Sequence, residues 1–116
     1  MLAIPRAHCH RRGVTNTPDF ESAATRFCQY VLLELGRSEN TVKAYGKDLE
    51  TLFVFARERG CANLEDIGIV ELRGWLAVQR TQGLAAATIA RRATSIRLFF
   101  AWATANGYVE YDPASS

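Results

Sequence analysis

The sequence lacks the cysteine pattern of a disulfide-stabilised or zinc-binding protein. Its three cysteines, Cys9, Cys28 and Cys61, are an odd number without a close pair, whereas both kinds of site need paired residues at short spacing. His8 and His10 flank Cys9, but this short segment supplies neither a fourth ligand nor a fixed geometry. We therefore expect reduced thiols in a cytoplasmic protein, with no metal and no cofactor.

Long apolar runs and a large excess of one charge are also absent. No stretch reaches the roughly 18 apolar residues that cross a bilayer, and the apolar run before the first charged residue is too short for a secretory signal. Neither membrane insertion nor export is predicted. The 14 Lys and Arg residues exceed the 12 Asp and Glu residues by only two charges, so the total charge does not indicate a nucleic-acid partner, and only the placement of charge can do so.

The alternating apolar pattern of β-strands is missing throughout, and no internal repeat is present. A hydrophobic fraction of 48% with only 3 prolines indicates a folded chain. Apolar residues recur instead at helical spacing from Thr17 onward. We predict an all-α protein, a compact bundle of four helices over residues 18–35, 39–59, 69–81 and 86–105.

Glycines and polar caps mark where these helices end and begin. Gly36 and Gly60 are suited to end the first two helices, and Ser38 is suited to cap the second. The domain organisation is predicted as a flexible tail, a helical domain and the start of a linker without packing of its own, over residues 1–16, 17–106 and 107–116.

The fourth predicted helix changes character along its length. At about 100° per residue, its core stripe consists of Ile89, Ala93, Ile96, Phe100 and Ala103. A neighbouring face is polar in the first half, with Thr88, Arg91, Arg92 and Ser95. In the second half the same angles carry Leu98, Phe99 and Trp102. We therefore expect a buried second half and a first half that projects arginine and hydroxyl groups, which suit DNA phosphates and base edges.

The second predicted helix adds Lys43 and Lys47, one turn apart on its polar face. Two basic faces can grip one duplex only if they lie side by side, which the sequence does not determine. Without that adjacency both faces are simply solvated.

Three segments in order resemble a known family: "GRSENTVKAYGKDLETLFVFARERG", "GWLAVQRTQGLAAATIARRATSIRLFFAWATANG" and "DPA". Together they resemble the N-terminal core-binding, SAM-like domain of Xer-type tyrosine recombinases and phage integrases, over about residues 18–114. Three positions depart from the family pattern. Ala85 stands in place of a capping serine, Ala93 in place of leucine, and Asp112 in place of asparagine.

The resemblance implies half of a C-shaped clamp around recombination-site DNA, with the second and fourth helices near the major groove. It implies DNA contacts from Thr41, Lys43, Lys47, Thr88, Arg91, Arg92 and Ser95. The arginines would reach bases, and the lysines and hydroxyls would bind phosphates. The implied partners are double-stranded DNA and other recombinase protomers, with no membrane and no small-molecule substrate. DNA integration and chromosome dimer resolution both stay open as roles.

The resemblance implies no catalytic residue in this sequence. Members of the family use a tyrosine nucleophile, activated by arginines, a lysine and histidines of a separate C-terminal domain. Tyr30, Tyr45, Tyr108 and Tyr111 have no such residues around them, and Tyr45 lies on a core stripe as a packed aromatic. We predict no catalytic activity for this chain alone.

Two other functions are open from the sequence. The first is a helical protein-interaction module that binds no nucleic acid, which would associate in a concentration-dependent way. The second is a small helix-turn-helix regulator, which the short break at Gln82-Gly83 permits.

Overall fold

The computed structural model describes residues 19–115, which form four α-helices and two short 3-10 helices, with no β-strand in that range. The α-helices are α1 (Phe20–Leu33), α2 (Glu39–Glu58), α3 (Ile69–Thr81) and α4 (Ala86–Ala105), and the 3-10 helices are Leu64–Asp66 and Pro113–Ser115. The all-α prediction and the four helices are confirmed. The predicted tail, residues 1–16, lies outside the described residues. Across residues 19–115, no helix has both the length and the apolar character needed to cross a bilayer.

Local capping explains where the helices start. Asp19 caps α1 by accepting a hydrogen bond from the Ser22 amide at 2.7 Å, so the helix begins two residues later than predicted. Ser38 caps α2 as predicted, because its hydroxyl accepts the Thr41 amide at 3.1 Å. Gly36, with φ of 67°, allows the tight turn between the two helices.

An aromatic cluster from three helices fills the core, with the fully buried Phe99 of α4 at its centre. Its ring centroid lies 5.3 Å from that of Phe27 in α1 and 5.8 Å from that of Phe53 in α2. Phe100 and Trp102 contact the same ring from within α4, at 5.0 and 5.9 Å. All four of these pairs are tilted or edge-to-face, the geometries that aromatic quadrupoles favour. The predicted burial of the second half of α4 is confirmed.

Helix α3 packs closely against α2 at Gly74. A Cβ atom at this position would lie 3.2 Å from the Phe55 ring and 3.4 Å from the Arg59 guanidinium. Arg59 in turn sits 4.5 Å from the centroid of the Phe55 ring. The missing side chain of Gly74 therefore lets α3 approach this cation–π pair.

The segment after α4 packs against the domain, which corrects the prediction that it lacks packing of its own. Gly107 turns the chain with φ of 79°, and the Tyr108 amide bonds back to the Ala103 carbonyl at 2.8 Å. This turn directs Val109 into the core, where only 4% of it is exposed. Ala114 also packs against the core. Apolar residues soon after the glycine stop thus bring the chain back onto the helices.

Candidate nucleic-acid interface

One buried carboxylate organises the polar half of α4. Asp48 lies in the middle of α2, one turn after Tyr45 and one turn before the buried Leu52, so it falls on the core side of the helix. Its side chain is 0% exposed. A buried carboxylate needs charged or hydrogen-bonding partners, and α4 supplies them.

Three side chains from the first half of α4 converge on this carboxylate. Arg91 donates from Nη2 to Oδ1 at 2.5 Å and from Nε to Oδ2 at 3.2 Å. The Ser95 hydroxyl lies 2.9 Å from Oδ2, and Nε of Arg92 lies 3.5 Å from Oδ1. We call these four residues the Asp48 cluster. It joins α2 to α4 across 43 residues of sequence between Asp48 and Arg91.

Arg91 is the outward-facing member of the cluster. Its side chain is 43% exposed and binds Asp48 along one edge of the guanidinium, through Nε and Nη2. No other acceptor within residues 19–115 takes its remaining N–H groups. The hydrogen bond with Asp48 raises the pKa of Arg91, burial opposes this rise, and the Asp48 charge adds to it. The free edge of Arg91 is therefore available to a phosphate or a base.

Arg92 has a different environment, although it is the next residue. Its side chain is only 19% exposed, and Nη1 donates to Oε1 of Gln79 at 3.3 Å. Gln79, buried in α3, donates from Nε2 to the Trp75 carbonyl at 3.3 Å. The Nε atom of Arg92 is buried and makes no hydrogen bond within the described chain. Arg92 thus links α4 to α3 and to Asp48.

Ser95 is enclosed, in contrast to the exposed position expected from the sequence. It is fully buried, and its hydroxyl lies 2.9 Å from Asp48 Oδ2 and 3.0 Å from the Arg92 carbonyl. The physical reason is that α2 covers this part of the polar face and brings the Asp48 carboxylate over it. A direct phosphate contact from Ser95 would require the cluster to open.

The two threonines expected at the interface lie near the beginnings of their helices. Thr41 is half-buried, and its Oγ1 accepts a hydrogen bond from the Ser38 hydroxyl at 3.1 Å. Thr88 is half-buried in the first turn of α4. Ala85, the cap residue immediately before that helix, makes no side-chain hydrogen bond to its first turn. The replacement of a capping serine by alanine thus leaves this end of α4 without a side-chain cap.

Lys43 and Lys47 are exposed on α2 and form no ion pair within residues 19–115. By helix geometry they lie about 140° and 100° around the α2 axis from Asp48. Both therefore lie on a face of α2 that points well away from Asp48, and neither joins the Asp48 cluster. The structure brings together Arg91, Arg92 and Ser95 and leaves the two lysines as a separate exposed pair on the same helix as Asp48.

Small side chains surround Arg91 on the outer surface of α4. Ala87, Ala90 and Thr94 are all exposed, and the Thr94 hydroxyl donates back to the Ala90 carbonyl at 3.1 Å. These residues leave the α4 backbone close to the surface and Arg91 prominent upon it. A helix of this kind can approach a DNA groove closely.

Other chemistry has little support in the described part of the chain. Within residues 19–115, no group of three or more His, Cys, Asp and Glu side chains could hold a metal ion. Tyr45 packs against the core, as predicted. The Tyr108 hydroxyl accepts a hydrogen bond from Arg26 at 3.0 Å, so this side chain ties the end of the domain to α1.

The sequence reasoning missed Asp48 and Gln79, although a signal for each exists. Asp48 interrupts the apolar stripe of α2 between Tyr45 and Leu52, and an acidic residue on a core stripe indicates a cationic partner. Gln79 follows Trp75 by one turn in α3 and so continues its buried face. Matching these two polar core positions with the adjacent arginines of α4 would have indicated an internal ion pair.

Comparisons with known proteins cover this same region. A family model described as the phage integrase N-terminal SAM-like domain matches residues 24–107. The chain is similar to "Tyrosine recombinase XerC" of Mycobacterium sp. (strain KMS), with 43% identity over 96 residues, or 82% of this chain and 32% of that protein. The protein of the same name in Mycobacterium tuberculosis (strain CDC 1551 / Oshkosh) is 40% identical over 89 residues, or 77% of this chain and 30% of that protein. The chain thus spans about a third of the length of these relatives. No solved structure matches it.

Proposed function

The chain belongs to the family of phage integrase N-terminal SAM-like domains, and we propose that it binds double-stranded DNA as the core-binding domain of a tyrosine recombinase. Among the geometric observations, the exposed edge of Arg91 carries the proposal. A guanidinium that projects from a helix lined by alanine and threonine is suited to phosphate or guanine in a groove. Lys43 and Lys47 supply further positive charge on α2.

In this proposal, the residues of the interface have unequal roles. Arg91 makes the closest approach to DNA, while Lys43, Lys47, Thr41 and Thr88 fix the position of the helices on the phosphates. Arg92 and Ser95, which the sequence also indicated as contacts, act from inside the domain by steadying Asp48.

The domain would act as one half of a clamp on recombination-site DNA, together with other recombinase protomers, in DNA integration or recombination. The aligned residues cover only about a third of the relatives' length, and the strand-transfer chemistry is assigned in this proposal to residues outside this chain. A cytoplasmic location is part of the same proposal.

The proposal is tested by titrating the chain into a fluorescently labelled duplex of mixed sequence, about 30 base pairs long, at several salt concentrations. If Lys43, Lys47 and Arg91 each neutralise one phosphate, the affinity should fall about 40-fold between roughly 50 and 200 mM salt. The variants Lys47→Gln and Arg91→Gln should each weaken binding and reduce the salt dependence by about one phosphate.

Arg73→Gln is the matched control. Arg73 is an exposed arginine of α3 that lines a pocket with Ile96 and Arg97. Those two α4 residues lie roughly 120° or more around the helix from Arg91. The control removes the same charge at a different surface and should change the affinity less. Binding that is independent of salt, or equal losses from Arg73→Gln and Arg91→Gln, would contradict the proposal.

One observation favours the alternative of a protein-interaction module. Val54 and Val78 are exposed and line a groove of about 500 Å³ between α2 and α3. An exposed apolar surface of this kind suits a protein partner. The alternative predicts concentration-dependent association by light scattering, with no amide chemical-shift changes when duplex DNA is added.

A further inference from the structure

We propose that Asp48 is a positioning residue for DNA binding, which holds Arg91 by one edge of its guanidinium so that the free end of the guanidinium faces the duplex. This inference rests on the proposed DNA-binding function and adds a residue that does not itself touch DNA. Asp48 is fully buried and so cannot reach a phosphate. Its effect on DNA would pass entirely through Arg91.

The hydrogen bonds of Arg91 leave a complete edge free. A guanidinium has five N–H groups in a rigid plane, and Asp48 takes one from Nε and one from Nη2. Both N–H groups of Nη1 and the second N–H of Nη2 remain. One N–H of Nη1 and the second N–H of Nη2 lie parallel at the end of the guanidinium, which is the edge that binds phosphate or guanine with two parallel hydrogen bonds.

The carboxylate that holds Arg91 is itself fixed. Ser95 donates to Oδ2 at 2.9 Å, and Arg92 brings a second positive charge to within 3.5 Å of Oδ1. Arg92 is held in turn by the buried Gln79. Because Asp48 cannot rotate freely, the plane of the Arg91 guanidinium is set by the fold. A side chain that is already ordered loses less conformational entropy on binding than a freely rotating arginine does.

Positioning and simple electrostatics predict opposite effects for the loss of the Asp48 charge. A carboxylate near DNA repels phosphate, so electrostatics alone predicts that Asp48→Asn strengthens binding. If Asp48 positions Arg91, the same change weakens binding although the protein becomes more positive. The sign of the change in affinity therefore separates the two.

The experiment measures the affinity of the whole chain for the mixed-sequence duplex of about 30 base pairs at low salt. The wild type is compared with Asp48→Asn and with the control Glu50→Gln, which removes one exposed carboxylate from the same helix. We expect Asp48→Asn to weaken binding about fivefold, the size expected for one side chain that is no longer pre-ordered. Glu50→Gln should leave the affinity unchanged or raise it slightly. Circular dichroism establishes that each variant is folded at the temperature used.

A double-mutant cycle separates positioning from a general structural role. In an Arg91→Gln background, Asp48→Asn should cause no further loss of affinity, because the residue it positions is gone. Equal losses in both backgrounds would show that Asp48 acts only by supporting the fold, and would overturn the inference.

Should Asp48→Asn not fold, Arg91→Lys carries the same test, because a lysine keeps the charge but cannot bridge Asp48 and a phosphate with two fixed edges. We expect about a fivefold loss for Arg91→Lys and none for the matched control Arg73→Lys, which makes the same change at an exposed arginine of α3 outside the proposed interface. Wild-type affinity in Arg91→Lys, or undiminished affinity in Asp48→Asn, would overturn this inference and leave the proposed function intact. If the wild-type chain fails to bind the duplex at all, the proposed function fails first, and this inference with it.

Discussion

The two halves of α4 belong to one continuous helix but are held by different forces. The second half is enclosed by aromatic rings, with the Phe99 centroid within 6 Å of those of Phe27, Phe53, Phe100 and Trp102. The first half meets α2 through one carboxylate and meets α3 through one glutamine. Apolar burial is strong and non-directional, whereas hydrogen-bonded ion pairs are directional and add little net stability. The difference teaches that the second half stabilises the domain, whereas the first half orients the polar side chains of the proposed DNA interface.

The position of α1 explains the contrast. Phe27 and Tyr30 of α1 pack on Trp102, with centroid distances of 5.6 and 6.3 Å, and so close the second half of α4 on the side that α2 leaves open. The first half has no such aromatic cover, and small exposed residues stand there instead. Because no aromatic side chain covers the first half of α4, Arg91 stays accessible to solvent while Asp48 holds one edge of its guanidinium.

The largest change in stability should come from a substitution in the aromatic packing of the second half of α4. Phe99→Ala removes the ring at the centre of the core, and a buried phenylalanine truncated to alanine typically costs about 3 to 5 kcal/mol. We expect the free energy of unfolding, measured with denaturant, to fall by this amount. Ala101→Ser, at an exposed position in the same half, is the control and should change it by less than about 0.5 kcal/mol. Similar values for the two variants would contradict the assignment of stability to this half.

A smaller effect is expected from breaking the polar half at its centre. Asp48→Ala removes the acceptor of two hydrogen bonds from Arg91 and takes the carboxylate away from Ser95 and Arg92. The loss of a buried partner of charged groups costs about 2 to 3 kcal/mol. The measurement is again denaturant unfolding. A cost as large as that of Phe99→Ala would show that the polar half also carries the stability of the domain, and would remove the contrast.

The two adjacent arginines sharpen the comparison within the polar half. Arg92→Met keeps the apolar stem but loses the links to Gln79 and Asp48, so we expect a loss of about 1 kcal/mol in stability. Arg91→Met should cost less stability because its side chain is 43% exposed, but it should weaken duplex binding more than Arg92→Met does. Thermal unfolding and duplex titration of the same two proteins check this crossover. If one variant is worse in both measurements, the division of roles is wrong.

The smallest effect tests the beginning of the polar half. Ala85 occupies the cap position of α4 in an extended conformation without a side-chain hydrogen bond. A serine there can accept an amide of the first turn, and we expect Ala85→Ser to stabilise the domain by roughly 0.5 to 1 kcal/mol. Ala87→Ser, two residues further along, is the control and should not stabilise it. No gain at position 85 would indicate that the first turn of α4 is already satisfied.

Periodicity was sufficient to predict the helices and the change of character along α4, because apolar spacing reports directly on burial. It placed Arg91, Arg92 and Ser95 in one sector of the helix, and they do meet at one group. It could not show that the group is a carboxylate of α2, because that contact depends on how two helices distant in sequence cross. The exposure of Arg91, the enclosure of Ser95 and the packing of Val109 follow from the same tertiary arrangement.

In the proposed DNA interface, the row of small residues beside Arg91 would allow the preference for a target sequence to change. Ala87, Ala90 and Thr94 lie on the surface outside both the aromatic cluster and the Asp48 cluster, so their replacement by larger polar side chains leaves the interior undisturbed. Selection of a library randomised at these three codons against altered duplexes would then yield variants with new preferences and an unchanged melting temperature. The residues that hold the fold are thus different from the surface residues that can be replaced.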